Sequence, residues 1–313
     1  MSGAMAGSTT TTHQTVSDRL EVVTLTINNR CNLRCPHCYL QYDGPSGRMA
    51  DSVIDAVLRS GAQHVAIVGK EPLVDRESVL LSEALVRQSV LVGKTVSLVT
   101  NGLRLDRLSS EALKALAWVD VSLDGGPSTY RRYRRGNFAR LIGSVNNAVS
   151  AGLRSANALH TLSSVNLNAI DDMMAVAQLA PWEKIIFSPY MAVKNHGQNP
   201  TSPVALVRLL AALGSSAGFM SNPRAFLLLG SDAFLDEKLS PAEVAHALAD
   251  AGLTSKVFRV EHDPLQLGYL RVTYDGFVMT PYQSLHPADY RTFATTLDHY
   301  SSIDSAFAFL RAA

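Results

Sequence analysis

Short runs of β-branched and apolar residues alternate with longer amphipathic stretches along most of the chain. The first run is VVTLTIN (22–28), and five more follow it: HVAIV (64–68), TVSLVTN (95–101), WVDVSLD (118–124), SANALHTLS (155–163) and KIIFSPY (184–190). A helical pattern follows each run, near 51–60, 76–91, 109–117, 137–151, 168–179 and 203–217. Such alternation is typical of βα units in a parallel sheet. It predicts an α/β fold, a partial TIM-type (β/α)6 barrel.

The alternation changes after about residue 220, which predicts a C-terminal α+β extension. Strand-like pieces at 224–230, 256–261 and 267–280 surround a helical pattern near 240–252, and a last helix is expected near 303–311. Tyr274-Asp275-Gly276 predicts a hairpin turn. We therefore divide the chain into a disordered tail (1–20), a barrel core (21–220) and an extension that covers the barrel and its substrate site (221–313).

Composition excludes several classes of function. The chain has 47% hydrophobic and 18% charged residues and a formal net charge of +1, so neither nucleic acid nor an anionic membrane is an expected partner. Every apolar run is interrupted well before the ~18 residues of a membrane-spanning helix, and the first twenty residues lack the pattern of a signal peptide. An odd number of clustered cysteines suits the reducing cytoplasm.

All three cysteines of the chain, Cys31, Cys35 and Cys38, lie in one loop after the first predicted strand. Pro36 disrupts any helix through this loop, so the loop is predicted to wrap around a small group with its thiols converging. The carboxyl end of a parallel strand is also where α/β proteins place their active sites. The sequence therefore predicts a metal centre at this position.

Three interpretations of the thiols compete. A structural zinc site would recruit His37, but it lacks the second, distant ligand pair that zinc motifs usually carry. Three unrelated core cysteines would be scattered along the chain. A [4Fe–4S] cluster with three cysteine ligands would leave one iron open to a ligand that is not protein.

The segment CNLRCPHCY (31–39) resembles the signature of the radical S-adenosylmethionine (radical SAM) superfamily, with His37 in its aromatic position and Tyr39 directly after the last cysteine. The resemblance implies a [4Fe–4S] cluster on Cys31, Cys35 and Cys38. It also implies that S-adenosylmethionine (SAM) chelates the open iron through its amino and carboxylate groups.

Further segments at predicted strand ends are similar to cofactor-binding motifs of that family. After the second strand stand Gly69, Lys70, Glu71 and Pro72, where the family typically has Gly-Gly-Glu-Pro. The resemblance implies that Glu71 accepts a hydrogen bond from the SAM amino group, while Lys70 departs from the pattern. Looser similarity adds candidate cofactor contacts after later strands: Thr100, Asn101, Ser122, Asp124 and Ser188.

Two other features have plainer interpretations. His160, inside the fifth predicted strand, is expected to be a core histidine. The basic run YRRYRRG (130–136) is interpreted as a solvated loop, from which Arg135 or a neighbour would be able to meet a carboxylate.

The resemblance implies reductive cleavage of SAM, with an electron from an external flavodoxin- or ferredoxin-type donor, to a 5′-deoxyadenosyl radical that abstracts hydrogen from a substrate. The segment 270–290 faintly resembles the hairpin of a SPASM/twitch module but carries no cysteine, so auxiliary clusters and a cysteine hydrogen donor are not expected. Elimination, rearrangement, decarboxylation, bond formation or oxidation remain open.

The expected substrate is a small molecule of specialised metabolism: a sugar, aminocyclitol, nucleoside or amino-acid derivative. A peptide-modifying enzyme would often bring a leader-binding domain, and the short tail does not supply one. Alternatives are such a peptide-modifying enzyme, a glycyl-radical-enzyme activase with a large protein partner, and a non-enzymatic metal-binding module.

Overall fold

The computed structural model describes residues 16–38, 47–190, 201–230, 239–260, 263–280 and 294–312. Within these ranges, eleven strands form one sheet in the order β11-β10-β9-β1-β2-β3-β4-β5-β6-β7-β8. Their bounds are β1 Val22–Thr26, β2 His64–Val68, β3 Thr95–Thr100, β4 Trp118–Ser122, β5 Ala156–Leu162, β6 Lys184–Pro189, β7 Ala225–Leu229, β8 Val257–Arg259, β9 Tyr269–Thr273, β10 Phe277–Met279 and β11 Thr295–Thr296. The α/β class, a partial barrel with a mostly parallel sheet, is confirmed.

Strands β1 to β8 run parallel to one another in chain order. On the other side of β1 lies β9, also parallel, with Val22 opposite Tyr269 and Thr26 opposite Thr273. β9 then turns at Tyr274-Asp275-Gly276 into antiparallel β10, which confirms the predicted hairpin. Gly276 adopts a φ of 80°, a conformation that favours glycine in such turns.

Helices connect the parallel strands, as the alternating pattern predicts. Their bounds are α1 Asp51–Arg59, α2 Arg76–Leu91, α3 Ser110–Ala115, α4 Pro127–Tyr133, α5 Phe138–Ser150, α6 Ile170–Ala175, α7 Leu206–Ser215, α8 Ala217–Ser221, α9 Pro241–Asp250 and α10 Ile303–Ala312. Local sequence explains several helix starts. Asp75 caps α2 by accepting from the backbone N–H of Ser78, and Ser240 with Glu243 forms a capping box on α9.

The two faces of the sheet differ in exposure. On one face, side chains such as Val23, Val65 and Val119 are fully buried and belong to the main hydrophobic core with residues of the helices. On the other face, here called the inner face, Thr24 and Ala66 are half-buried. In parallel strands successive side chains alternate between faces, so this pattern leaves the inner face accessible to a ligand.

Strands β7 and β8 lie in the same sheet as β1–β6, with α9 between them. The hydrogen-bonded sheet therefore crosses residue 220, and the domain boundary placed there stays a prediction. In the described ranges, no helix combines the length and the hydropathy needed to cross a bilayer.

Candidate functional site

The cysteine loop leaves β1 at the carboxyl edge of the sheet and is not helical, as Pro36 predicts. Cys31, Cys35 and Cys38 form no disulfide bonds and are half-buried. The loop is held by its own backbone, since the N–H of Cys38 donates to the carbonyl of Cys35 at 3.1 Å. The thiol of Cys35 donates to the carbonyl of Arg134 at 3.6 Å, which ties the loop to the end of α4.

Burial raises the pKa of the Cys31 and Cys35 thiols to about 11. The negative charge of Glu71 adds to this effect at Cys31, whereas Arg134 opposes it at Cys35. The unloaded loop therefore holds its protons, and ligation of a metal centre must displace them. Among the described residues, no three His, Cys, Asp or Glu side chains are already arranged around a single-ion site.

Glu71 is a fully buried carboxylate next to this loop. Its Oε1 accepts from the Thr100 hydroxyl at 2.6 Å and from the Leu73 N–H at 3.0 Å, and its Oε2 accepts from the Asn101 N–H at 2.7 Å. Burial raises the pKa of Glu71, although these hydrogen bonds oppose the shift. No cationic side chain in the described part of the chain forms an ion pair with it. Its hydrogen-bond donors among the described residues are all neutral, and the charge of Arg134 acts on it only from a distance.

Asn101 connects Glu71 to the cysteine loop, because its backbone contacts Glu71 and its side chain contacts the loop. Its amide nitrogen donates to Asn32 Oδ1 at 2.8 Å and lies 3.9 Å from Cys31 Sγ. Its side-chain oxygen accepts from the N–H of Leu103 at 3.1 Å, which fixes the orientation of the amide. The end of β3 therefore contacts both Glu71 and the first cysteine.

Gly69 lies where a larger residue would crowd the adjacent loop. A Cβ at this position would stand 3.2 Å from Asn28 Oδ1 and 3.4 Å from the nitrogen of Pro72. The N–H of Lys70 still donates to the carbonyl of Asn28 at 3.2 Å, so lysine in place of the second glycine preserves the backbone approach. Pro72 is buried, and its carbonyl accepts from Ser82.

A second buried carboxylate, Asp124, lies on the other side of the loop. Its Oδ2 accepts from Arg134 Nε at 2.7 Å and from His37 Nε2 at 2.9 Å, and its Oδ1 accepts from the Thr161 N–H at 2.7 Å. Burial alone would raise its pKa, but the Arg134 guanidinium and the His37 hydrogen bond hold the pKa of Asp124 well below its usual range. Its φ of 60° is unusual for a residue other than glycine. Asp124 is therefore a permanent anion in a fixed position.

His37 is clamped between this carboxylate and an aromatic ring. The imidazole stacks on Tyr133 with centroids 3.8 Å apart and planes 7° apart, and the Tyr133 hydroxyl lies 2.8 Å from Ser163 Oγ. Burial lowers the pKa of His37, so the ring is neutral and donates its Nε2 hydrogen to Asp124. Its Nδ1 is buried with no hydrogen-bond partner in the described part of the chain.

The interpretation of YRRYRRG as a solvated loop is wrong for Tyr130, Tyr133 and Arg134. Tyr130 and Tyr133 are fully buried on α4, and the Arg134 side chain is 11% exposed against Asp124. The apolar spacing of the two tyrosines overrides the charge of the run, since residues three apart share a helix face. Arg134, the neighbour of Arg135, is the basic residue that meets a carboxylate, within the expectation of Arg135 or a neighbour; only the tertiary approach of α4 identifies which one.

Four residues singled out from the sequence remain: Ser122, Ser188, Tyr39 and His160. Ser122 and Ser188 lie half-buried in β4 and β6, near the carboxyl ends of these strands. Tyr39 lies outside the described residues. His160 is fully buried against Phe187, with ring centroids 5.0 Å apart, as expected of a core histidine, but neither of its ring nitrogens has a hydrogen-bond partner among the described residues.

Comparison with known proteins identifies the relatives of this arrangement. The Radical SAM superfamily profile matches residues 25–177, the segment that holds the cysteine loop and both carboxylates. A probable GTP 3′,8-cyclase of Methanocaldococcus jannaschii is 28% identical over 159 residues, 48% of this chain and 52% of that protein. An Fe-coproporphyrin III synthase of Methanosarcina barkeri is 28% identical over 178 residues, 54% and 43% of the two chains. The chain thus spans about half the length of these relatives.

Solved structures share the fold at low identity. Streptococcus suis SuiB bound to S-adenosylmethionine matches with a TM-score of 0.61 at 12% identity, over 94% of this chain and 67% of that chain. The structure of anSMEcpe with bound AdoMet and Kp18Cys peptide matches with a TM-score of 0.56 at 16% identity, over 91% and 81% of the two chains. These likenesses show that the partial barrel and the C-terminal strands form one known type of fold.

Proposed function

The chain belongs to the radical SAM superfamily, and from this premise we propose that it is an enzyme that generates a substrate radical from a small molecule. Family membership implies a [4Fe–4S] cluster and SAM as cofactors. When bound, this pair supplies a one-electron reductive cleavage of SAM to methionine and a 5′-deoxyadenosyl radical, which abstracts hydrogen from the substrate.

The donor set of the loop fits the cluster. Cys31, Cys35 and Cys38 are the only thiols of the chain, they form no disulfide bonds, and they lie in a loop fixed from both sides. A cluster held by three thiolates keeps one iron for SAM and leaves no cysteine for a second cluster. We propose these three residues as the cluster ligands.

Glu71 is the residue that best supports SAM binding at this site. A buried carboxylate whose pKa is raised, and which forms no ion pair among the described side chains, gains stability as an anion when a further N–H donor arrives. The SAM amino group would be such a donor, because its lone pair would bind the open iron and its N–H groups would donate to Glu71, which Thr100 and Asn101 hold in place. Gly69 permits the close approach of the two loops on which this depends.

Asp124, with Arg134 and His37, positions the other side of the loop. Because His37 is fixed by a hydrogen bond and a ring stack, the backbone between Cys35 and Cys38 has one defined path. We propose that Ser122 and Ser188 contact the cofactor from the inner face, together with Lys70, Pro72 and Tyr39 at the margins of the loops.

The small-molecule substrate is supported by two relatives whose names state small-molecule chemistry, a GTP cyclase and a coproporphyrin synthase. The reaction outcome is elimination, rearrangement, bond formation or oxidation, with an external flavodoxin- or ferredoxin-type electron donor. We place the enzyme in the cytoplasm, where the three thiols stay reduced.

Anaerobic reconstitution with iron and sulfide tests the proposal. We expect about four irons per chain and a brown protein that releases 5′-deoxyadenosine from SAM under a strong reductant. Cys35→Ala should lose both, while Asn32→Ala, a change in the same loop that removes no thiol, should keep its iron. A colourless, zinc-loaded protein without 5′-deoxyadenosine would refute the assignment.

A further inference from the structure

A cationic side chain to which the proposed function assigns no role lies buried on the inner face of the sheet. Arg271 lies in β9 between Leu270 and Val272, which point into the main hydrophobic core on the opposite face. Its register partner on β1 is Thr24, a half-buried residue of the inner face. The alternation of side chains along the strand therefore directs Arg271 to the inner face.

The guanidinium of Arg271 forms no hydrogen bond or ion pair with the described residues on the inner face. The residue is 6% exposed, and its Nε and Nη1 are buried without a hydrogen bond from the part of the chain that the structure describes. A guanidinium cannot lose its charge, so a buried one without an anion is costly. Natural proteins retain such a group where a ligand completes it.

A second orphan group lies beside it. Thr26 is 6% exposed, and its hydroxyl is buried without a partner among the described residues. Thr24 is opposite Arg271 and Thr26 is opposite Thr273, so Thr26 and Arg271 are diagonal neighbours on adjacent strands. Diagonal neighbours lie within reach of a long side chain. Two unpaired polar groups thus share one part of the inner face.

We propose that Arg271 and Thr26 form an anion subsite that binds a carboxylate or phosphate group of the substrate. The planar guanidinium offers N–H donors in the geometry that oxyanions accept, and the Thr26 hydroxyl supplies a further donor. This inference rests on the proposed function, because it assigns the substrate of that enzyme to the class of anionic small molecules.

The position of the subsite suits substrate orientation. Met279, the cross-strand partner of Arg271 on β10, packs against Cys38, so the subsite lies close to the proposed cluster loop. Arg271 also lies two residues before the end of β9, about 7 Å deeper in the sheet than its carboxyl edge. A substrate held there by its anionic end would direct its other end toward the loop. Tyr274 couples the two regions, since its hydroxyl accepts from Asn29 at 3.4 Å.

Anion titration of the 313-residue chain, without cluster or SAM, tests the subsite. Inorganic phosphate and acetate are titrated separately at ionic strength held constant with sodium chloride, and the thermal midpoint is recorded. We expect a saturable rise of about 1–4 °C with at least one anion. The effective anion identifies phosphate or carboxylate as the preferred group.

Arg271→Gln should lose this rise, with at least tenfold weaker apparent binding. Arg208→Gln, which removes an exposed arginine of α7, should keep it. Without anion, Arg271→Gln should be at least as stable as the wild type, because it removes an unpaired buried charge. A variant that is strongly destabilised or does not fold would show that Arg271 is structural and would overturn the inference, as would an anion response that survives the substitution or is absent from the wild type.

A separate measurement distinguishes this inference from the proposed function. Reconstituted Arg271→Gln should still cleave SAM in the absence of substrate, because Arg271 does not hold the cluster. SAM cleavage without anion binding in the wild type would overturn the subsite alone. Anion binding without SAM cleavage would overturn the proposed function alone.

Discussion

Two buried carboxylates flank the cysteine loop, and they are stabilised by opposite means. Asp124 meets a guanidinium and an imidazole, and its pKa is held low. Glu71 meets a hydroxyl and two backbone N–H groups, and its pKa is raised. A carboxylate that already has its counter-charge serves as a fixed anchor, whereas one without a counter-charge has a place for a cation. Asp124 therefore supports the loop on one side, and Glu71, on the other, is the carboxylate that we propose as a contact of the SAM amino group.

The strongest test of this contrast is Asp124→Asn. The amide is isosteric and tolerates the positive φ of this position, but it leaves the Arg134 guanidinium buried without an anion. We expect a loss of about 3–5 kcal/mol in the free energy of unfolding of the unloaded protein, measured by denaturant titration.

The control for that change is Asp106→Asn, which breaks the more exposed pair with Arg140. We expect it to cost about 1 kcal/mol or less. Equal costs for the two substitutions would contradict the role of Asp124 as a buried anchor.

Glu71→Gln should show the converse pattern. It removes the charge that would accept a hydrogen bond from the SAM amino group, so SAM should bind roughly 10–100-fold more weakly to the cluster-loaded protein, measured by calorimetry. The free energy of unfolding of the unloaded protein should fall by less than about 2 kcal/mol, because Gln keeps part of the hydrogen bonding. Glu77→Gln, at an exposed carboxylate of α2, is the matched control. Unchanged SAM affinity would remove Glu71 from the binding site.

Thr100→Val tests how the uncharged donors hold Glu71. The substitution removes the 2.6 Å hydrogen bond to Oε1 and leaves the N–H donors of Leu73 and Asn101. We expect a loss of about 1 kcal/mol in stability and a few-fold weaker SAM binding, by the same two measurements. A SAM defect as large as that of Glu71→Gln would mean that Thr100 contacts the cofactor itself.

The smallest effect is in the pH dependence of the two carboxylate substitutions. A raised pKa at Glu71 contributes stability that is present below its unfolded pKa and is lost as pH rises through the folded pKa. The cost of Glu71→Gln should therefore grow as pH falls from 8 to 5. Asp124 has a lowered pKa and stays ionised over this range in both states, so the cost of Asp124→Asn should stay constant. Parallel pH profiles from chemical unfolding would contradict the assigned directions.

The sequence predicts those parts of the site that depend on local spacing. Cys31, Cys35, Cys38 and Glu71 lie in short motifs directly after strands, and the parallel order of strands brings such positions to one edge. The sequence leaves open which arginine of 130–136 meets a carboxylate, and it does not predict the stacking of Tyr133 on His37, because both depend on how α4 packs against the loop. A run with four arginines among seven residues looks solvated until its tyrosine face is placed in the core.

The fold shows the same division. The six βα units and the hairpin follow from local periodicity and turn residues. The parallel pairing of β9 with β1 does not, because no local pattern specifies which strand pairs with the second side of β1. The segments 224–230 and 256–261 were recognised as strand-like, yet their continuation of the parallel order, through α9, depends on tertiary packing.

The place of β9 has a consequence for biosynthesis. β1, which leads into the cysteine loop, hydrogen-bonds on one side to β2 and on the other to a strand that begins at Tyr269. While the ribosome is still making the chain, that second edge is open, and closing it requires a very long loop. Arg271 lies in this late strand, and Tyr274 and Met279, which contact Asn29 and Cys38, follow in the turn and in β10. A nascent chain thus has the cysteines early and these contacts late, so the order of translation itself separates the making of the proposed cluster ligands from the completion of their surroundings.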